Sequence, residues 1–162
     1  INIVASMFFA GITGSAASDT SSVGAILIPA MVDKGYEKDF TVAVTATSST
    51  IGVMIPPSIP MVVYGVASGA SIGRLFLGGF VPGILVGLVQ MAVTFFYARK
   101  RNYPVETTVS LRESLRIVLK SIPALMTIII ILGGIVSGFF TPTEAAGIAR
   151  LHSNLMSRPF PR

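Results

Sequence analysis

The chain has 162 residues, is 52% hydrophobic and is charged at only 12% of positions, about half the share of a soluble domain; its mean hydropathy is +0.78. This excludes a water-soluble domain and indicates an integral membrane protein. The net charge of +5 does not signal nucleic acid, because the basic residues fall between apolar runs, where topology determinants belong, and form no binding stripe. With no cysteine, disulfides, thiolate metal sites and cysteine nucleophiles are excluded. The chain starts at Ile1 with no basic n-region, so it reads as the interior of a longer protein.

Residues 1–33 hold two short apolar segments around Gly11–Gly24, GITGSAASDTSSVG. Neither segment approaches the roughly 20 apolar residues a spanning helix needs. The stretch therefore reads as a re-entrant helical hairpin with a polar, glycine-rich tip. Non-helical backbone at membrane depth persists only where protein buries it or where it lines a wet cavity. Ser18 or Asp19 is the expected N-cap of the second half-helix. An intramembrane acid such as Asp19 is a functional candidate by default, with a plain capping role as its alternative. A continuous helix with a small-residue packing face is the other reading of the whole stretch.

Residues 34–39 form a charged cytoplasmic loop. Residues 40–66 carry no charge yet are broken in the middle, where Thr45, Thr47, Ser48, Ser49 and Thr50 crowd before Ile51-Gly-Val-Met-Ile-Pro-Pro-Ser-Ile-Pro60. Pro56-Pro57 removes two backbone donors, so the helix must stop there, and Ile55 is pushed towards extended geometry. The carbonyls freed around Thr50–Val53 need partners: a sodium ion, ordered water or neighbouring helices. Discontinuous helices mark substrate and ion sites in secondary transporters; a simple proline kink is the competing reading.

Residues 67–74 form a periplasmic turn. Residues 75–98 are long enough to cross, and Arg99-Lys100-Arg101 stops them. Residues 99–120 read as an amphipathic cytoplasmic arm, with Leu111, Leu115, Val118 and Leu119 opposite Arg112, Glu113 and Arg116. Residues 121–140 give a second full crossing. Thr141-Pro-Thr-Glu144 has the form of a capping box, so 141–149 start another helix. Residues 150–162 form an atypical tail that reads as truncated or frame-shifted, with His152 a lone histidine. If the hairpin re-enters, Lys34, Lys38, Arg99, Lys100, Arg101, Arg112, Arg116 and Lys120 share one side and only Arg74 lies opposite, which makes the first side cytoplasmic.

At the tip and the break, GITGSAASDTSSVGAILIPAMVDKGY, VTATSSTIGVMIPPSIPMVVYGVASGASIGRLFLGGFVPG and GFFTPTEAAGIA resemble the large, DctM-type membrane subunit of tripartite ATP-independent periplasmic (TRAP) transporters. The resemblance runs from about Ile1 to Ala149. It implies an all-α integral membrane fold, here one repeat of an elevator-type secondary transporter, multi-pass in the bacterial inner membrane. It implies sodium-coupled import of carboxylated solutes such as C4-dicarboxylates or sialic acid. The implied partners are a small TRAP membrane subunit and a periplasmic substrate-binding protein. By position, it puts Gly14, Ser15, Ala16, Ser18, Asp19 and Thr20 at the first tip and Ser48, Ser49, Thr50, Gly52, Pro56 and Pro57 at the break. Together these make one half-site, with Ser15, Ser48, Ser49 and Gly52 the sodium candidates. No second tip is found, so the other half-site of the family's two inverted repeats is missing.

An enzyme is not expected. An aspartyl protease needs two acids sharing a site, and Asp19 is the only acid within an apolar segment. A serine protease needs a base near its nucleophile, and the sole histidine, His152, sits in the tail. No phosphate loop or metal cluster appears, so no cofactor is expected, sodium entering only as coupling ion. A passive channel or structural membrane subunit is the remaining alternative, although a channel would not explain both a re-entrant tip and a double-proline break.

Overall fold

The structure, a computed structural model, describes residues 1–104 and 111–157, with side chains assigned for part of the second stretch. It is all-helical, and no strand occurs among the described residues. The chain divides into two compact units, residues 1–105 and 106–162.

The first unit opens with α1 (Asn2–Thr13) and α2 (Ala16–Asp33), joined at Gly14-Ser15. Gly14 has φ +60° and ψ 14°, the left-handed geometry that ends helices, and its N–H bonds the Ala10 carbonyl at 3.0 Å. Helix α3 (Lys38–Ser49) passes into a 3₁₀ turn (Thr50–Val53) and stops before Pro56-Pro57. Helix α4 (Ile59–Ser68) then starts from Ser58, whose Oγ accepts from the Met61 N–H at 3.4 Å. The Ser58 hydroxyl also donates to the Val53 carbonyl at 2.8 Å, a carbonyl that lost its helical donor to Pro57. Gly69 turns the chain at φ +70°, and Ser71 caps α5 (Ile72–Lys100).

Among the described residues, α5 is the one helix long and apolar enough to cross a membrane. At 29 residues it is about 43 Å long. Its Leu77, Val81, Leu85, Leu88, Val89 and Phe96 are exposed, while the unit's interior holds Asn2, Ser6, Asp19, Thr41, Thr45, Ser48 and Ser49 alongside Ile3, Ala10, Val44, Ile51 and Ile55. Apolar outside with polar groups gathered within suits a lipid solvent, where packing and interhelical hydrogen bonds hold helices together.

The loop after α2 is pinned to the end of α5. The Tyr36 and Tyr103 rings lie 4.8 Å apart, Phe40 stacks on Tyr97 at 5.3 Å, and the Tyr36 hydroxyl donates to the Pro104 carbonyl at 3.1 Å. Arg101 pairs with Glu37 and lies over the Tyr97 ring at 4.9 Å. The Glu37 hydrogen bond holds the Arg101 guanidinium above its ordinary pKa. Residues 36 and 103 therefore occupy the same end of the unit.

In the second unit, α6 (Leu111–Val136) and α7 (Pro142–Ser157) flank a turn at Gly138, φ +78°. The capping box forms: the Thr141 N–H donates to Glu144 Oε2 at 2.8 Å, and the Glu144 N–H reaches Thr141 Oγ1 at 3.3 Å. Two boundaries differ from the sequence reading. Helix α6 runs unbroken through the expected junction at 120–121, because polarity changes there while the backbone can go on hydrogen-bonding; Pro123 removes one donor without ending it. Helix α7 continues to Ser157 rather than stopping at Ala149, since residues 150–157 contain neither glycine nor proline. The two faces of the arm at 111–118, residues 105–110, the His152 side chain and residues 158–162 lie outside the described set.

Cysteines introduced in the full-length protein test the placement of the loops. Tyr36→Cys and Tyr103→Cys are expected to react with an impermeant maleimide from the cytoplasmic side, and Ser71→Cys from the periplasmic side. Labelling of positions 36 and 103 from opposite sides would remove the re-entrant hairpin.

Candidate functional site

The tip of the α1–α2 hairpin docks on the break between α3 and α4. The Ile59 N–H donates to the Gly14 carbonyl at 3.1 Å. A Cβ at Gly14 would lie 2.6 Å from the Pro57 carbonyl oxygen, so a side chain has no room there. Gly52 packs against Ser15 and Ala16, with Cβ-position distances of 3.6–3.7 Å to their backbone. Two helix N-termini, those of α2 and α4, thus meet at one place, together with the C-terminal ends of α1 and α3. The first pair carries partial positive charge and the second partial negative charge.

Ser15, not Ser18 or Asp19, caps α2; its backbone is extended (φ −141°, ψ 122°) and its Oγ accepts from the Ser18 N–H at 3.5 Å. The cap falls one turn earlier because Gly14 ends α1 and Ser15 is the first residue able to turn the chain back into a helix. Asp19 is consequently one turn inside α2 and fully buried. The hydroxyls of Ser49 and Ser6 flank its carboxylate, yet neither carboxylate oxygen makes a hydrogen bond of ordinary geometry.

The reason lies in where those hydroxyls send their protons. Ser49 Oγ donates to the Thr45 carbonyl at 2.8 Å, and Ser48 Oγ reaches the same carbonyl at 3.1 Å. Ser6 and Ser48 share a hydrogen bond at 2.9 Å, and Asn2 Nδ2 donates to Thr45 Oγ1 at 2.8 Å. Thr45 Oγ1 in turn donates back to Thr41 at 2.8 Å. Hydroxyls bonded back to the preceding helical turn keep their lone pairs for another partner. The break adds one more acceptor. Pro56 has no N–H, and the Ile55 N–H goes to Ile51 at 2.9 Å, so neither helical donor serves the Gly52 carbonyl.

The sequence-derived residues divide into two groups. Gly14, Asp19, Ser48, Ser49, Gly52 and Pro56 are buried, and Ser15, Ala16 and Pro57 are half-buried around the tip–break contact. Ser18 and Thr50 are exposed and Thr20 is half-buried; Thr20 and Thr50 bond back to Ala16 and Thr47 at 2.9 and 2.7 Å. Asn2, Ser6 and Thr41 were not anticipated, and Thr45 was read only as part of the hydroxyl crowd before the break. Their signal was available: Asn2 and Ser6 stand four apart on α1, and Thr41, Thr45, Ser48 and Ser49 share an α3 face. A cavity of about 300 Å³ among Ile3, Met31, Phe40, Val44 and Met91 contains none of the sequence-derived residues.

With this geometry in place, the comparison with known proteins is decisive. Residues 1–158 match the family described as the tripartite ATP-independent periplasmic transporter, DctM component. The chain belongs to this family. It is 48% identical over 147 residues to the isethionate TRAP transporter permease protein DctMQ of Oleidesulfovibrio alaskensis, covering 90% of this chain and 23% of that one. It is 45% identical over 151 residues to the C4-dicarboxylate TRAP transporter large permease protein DctM of Pseudomonas aeruginosa (93% and 35%). It is 43% identical over 153 residues to the sialic acid TRAP transporter large permease protein SiaM of Vibrio cholerae (94% and 36%). The chain thus spans about a third or less of the length of these relatives. The family is one of transporter components.

Gly14→Ala tests the docking. The substitution forces a left-handed backbone on a residue with a Cβ and drives that atom into the Pro57 carbonyl. A loss of about 1–3 kcal/mol is expected, read as a lower melting temperature of the purified full-length protein. An unchanged melting temperature would mean that the tip does not seat on the break.

Proposed function

We propose that the complete protein is the large membrane subunit of a sodium-coupled, binding-protein-dependent importer, and that this chain supplies one half of its ion and solute site. The observation that carries the reading is Asp19: a buried carboxylate without a hydrogen bond of ordinary geometry, beside the Ser49 hydroxyl, whose proton goes to the Thr45 carbonyl. An isolated charge in so dry a setting is costly unless paired, and a cluster of acceptors alone is completed by a cation. A hard cation suits hydroxyl, carbonyl and carboxylate oxygens. Ser48, Ser49 and the Gly52 carbonyl are the proposed neighbours of sodium, with Asp19 as its counter-charge and Ser15 at the rim. The N-termini of α2 and α4 suit the solute, since free N–H groups and the helix dipole favour an anion.

The relatives' names carry C4-dicarboxylate, sialic acid and isethionate. Their common chemistry is a small organic anion, with carboxylates as the main class and a sulfonate beside them. Delivery by a periplasmic binding protein, assembly with a small membrane subunit, a multi-pass inner-membrane location and elevator-type movement of the hairpin and broken helix complete the proposal. A passive channel is not favoured, because the matched relatives are transporter permeases and a channel has no need of a sealed acceptor cluster.

Uptake by the full transporter in proteoliposomes tests the site. Asp19→Asn and Ser49→Ala are each expected to raise the sodium concentration for half-maximal uptake at least about tenfold, equivalent to ~1.4 kcal/mol, with membrane insertion intact. Sodium dependence identical to the parent in both variants would sink the half-site.

A further inference from the structure

We infer that α5 sets the geometry of the ion-binding break from behind, with Gly79 and Gln90 as positioning residues. The inference rests on the sodium reading above and adds residues from a helix that supplies none of the proposed ligands.

Gly79, Gly83, Gly87 and Gln90 recur at spacings of four, four and three, so they lie along one face of α5. A Cβ at Gly79 would stand 2.4 Å from the Met54 carbonyl oxygen, which is backbone and cannot swing aside. It would also meet the Met61 Cε, the mobile end of a long side chain, at 2.4 Å. At Gly83 the obstacle is Ile55, with Cγ1 at 2.6 Å and the backbone nitrogen at 3.3 Å. At Gly87 it is only the Met7 thioether, Sδ at 2.6 Å. The backbone of α5 therefore bears directly on Met54 and Ile55, two and three residues after Gly52.

Gln90 acts on the other side of the break. Its Nε2 donates to the Thr47 carbonyl at 3.0 Å, in the last turn of α3 and directly before Ser48 and Ser49. Its Oε1 is buried without a partner, so this polar side chain stands within an apolar helix for a single bond to α3. Two points on α5 thus bracket Ser48, Ser49 and Gly52. Within the bracket α3 gives way to the 3₁₀ turn and the Gly52 carbonyl lacks its helical donors, so the direction of that carbonyl depends on what presses on the turn from outside. Gly78 is the internal control: it is adjacent in sequence, and a Cβ there meets nothing within 4 Å.

The test uses the full transporter in proteoliposomes, reading the sodium concentration for half-maximal uptake, the maximal rate and the lithium-to-sodium ratio. Gly79→Ala and Gln90→Leu are each expected to raise half-saturation at least about threefold and to change the lithium-to-sodium ratio, at parental abundance. Gly78→Ala is expected to match the parent in all three. A merely structural role lowers abundance and maximal rate but leaves half-saturation and the ion ratio alone, and that result overturns the inference. So does an equal shift in Gly78→Ala. Should Gly79→Ala fail to accumulate, Gln90→Leu decides by the same readouts, because it removes one hydrogen bond and adds no clash. If Asp19→Asn and Ser49→Ala shift half-saturation while Gly79→Ala and Gln90→Leu do not, the inference alone fails. If none of the four shifts it, the sodium reading fails first.

Discussion

The contact between Gly14 and the Pro57–Ile59 segment is the constraint on which the first unit depends. Two pieces of chain that each lack regular backbone bonding satisfy one another: the Ile59 N–H, orphaned at the start of α4, finds the Gly14 carbonyl at the hairpin tip. Neither piece is stable at membrane depth alone, because unpaired backbone groups have no water to turn to. Only glycine fits at the contact, through both its left-handed backbone and the nearness of the Pro57 carbonyl. Burial of Asp19, closure of Gly52 on Ser15 and the convergence of four helix ends all follow from this one seating.

The polar interior follows the same logic. Serine and threonine on α3 turn their protons onto the preceding helical turn, which satisfies the hydroxyl donors and removes them from the space between α1, α2 and α3. What remains there is a carboxylate and hydroxyl lone pairs, with the Asn2 amide and the Ser6 hydroxyl engaged by Thr45 and Ser48. The arrangement is asymmetric by construction: it can receive positive charge and has little to offer an anion, while the neighbouring helix N-termini have the opposite preference. On the proposed reading, cation and anion preferences would arise from backbone direction and hydroxyl rotamers, with Asp19 the ionisable group buried in this interior.

Much of this was legible in the sequence because glycine and proline act locally. Gly14 and Pro56-Pro57 interrupt helices whatever surrounds them, so the tip and the break could be placed before any contact was known. The cap of α2 was misplaced because Ser15, Ser18 and Asp19 are all good caps, and the choice between them is made by where α1 ends. Asn2 and Ser6 were overlooked because α1 reads as an apolar segment; their importance comes from Thr45 and Ser48, more than forty residues away. Gln90 was hidden for the same reason. The continuity of α6 was missed because a change in composition was taken for a change in backbone.

The ladder between α1 and α3 also bears on how the protein is made. Thr45 follows Asn2 by 43 positions, and at about 5–20 residues per second that gap takes roughly 2–9 s to synthesise. For those seconds α1 and α2 exist without the hydroxyl face that pairs Asn2 and Ser6 and without the break that seats Gly14. The hairpin is a clause whose verb comes late. For a hairpin that re-enters the membrane as proposed, the polar tip would stay near the watery interface until α3 and α4 emerge, and the proline break would let it settle deeper.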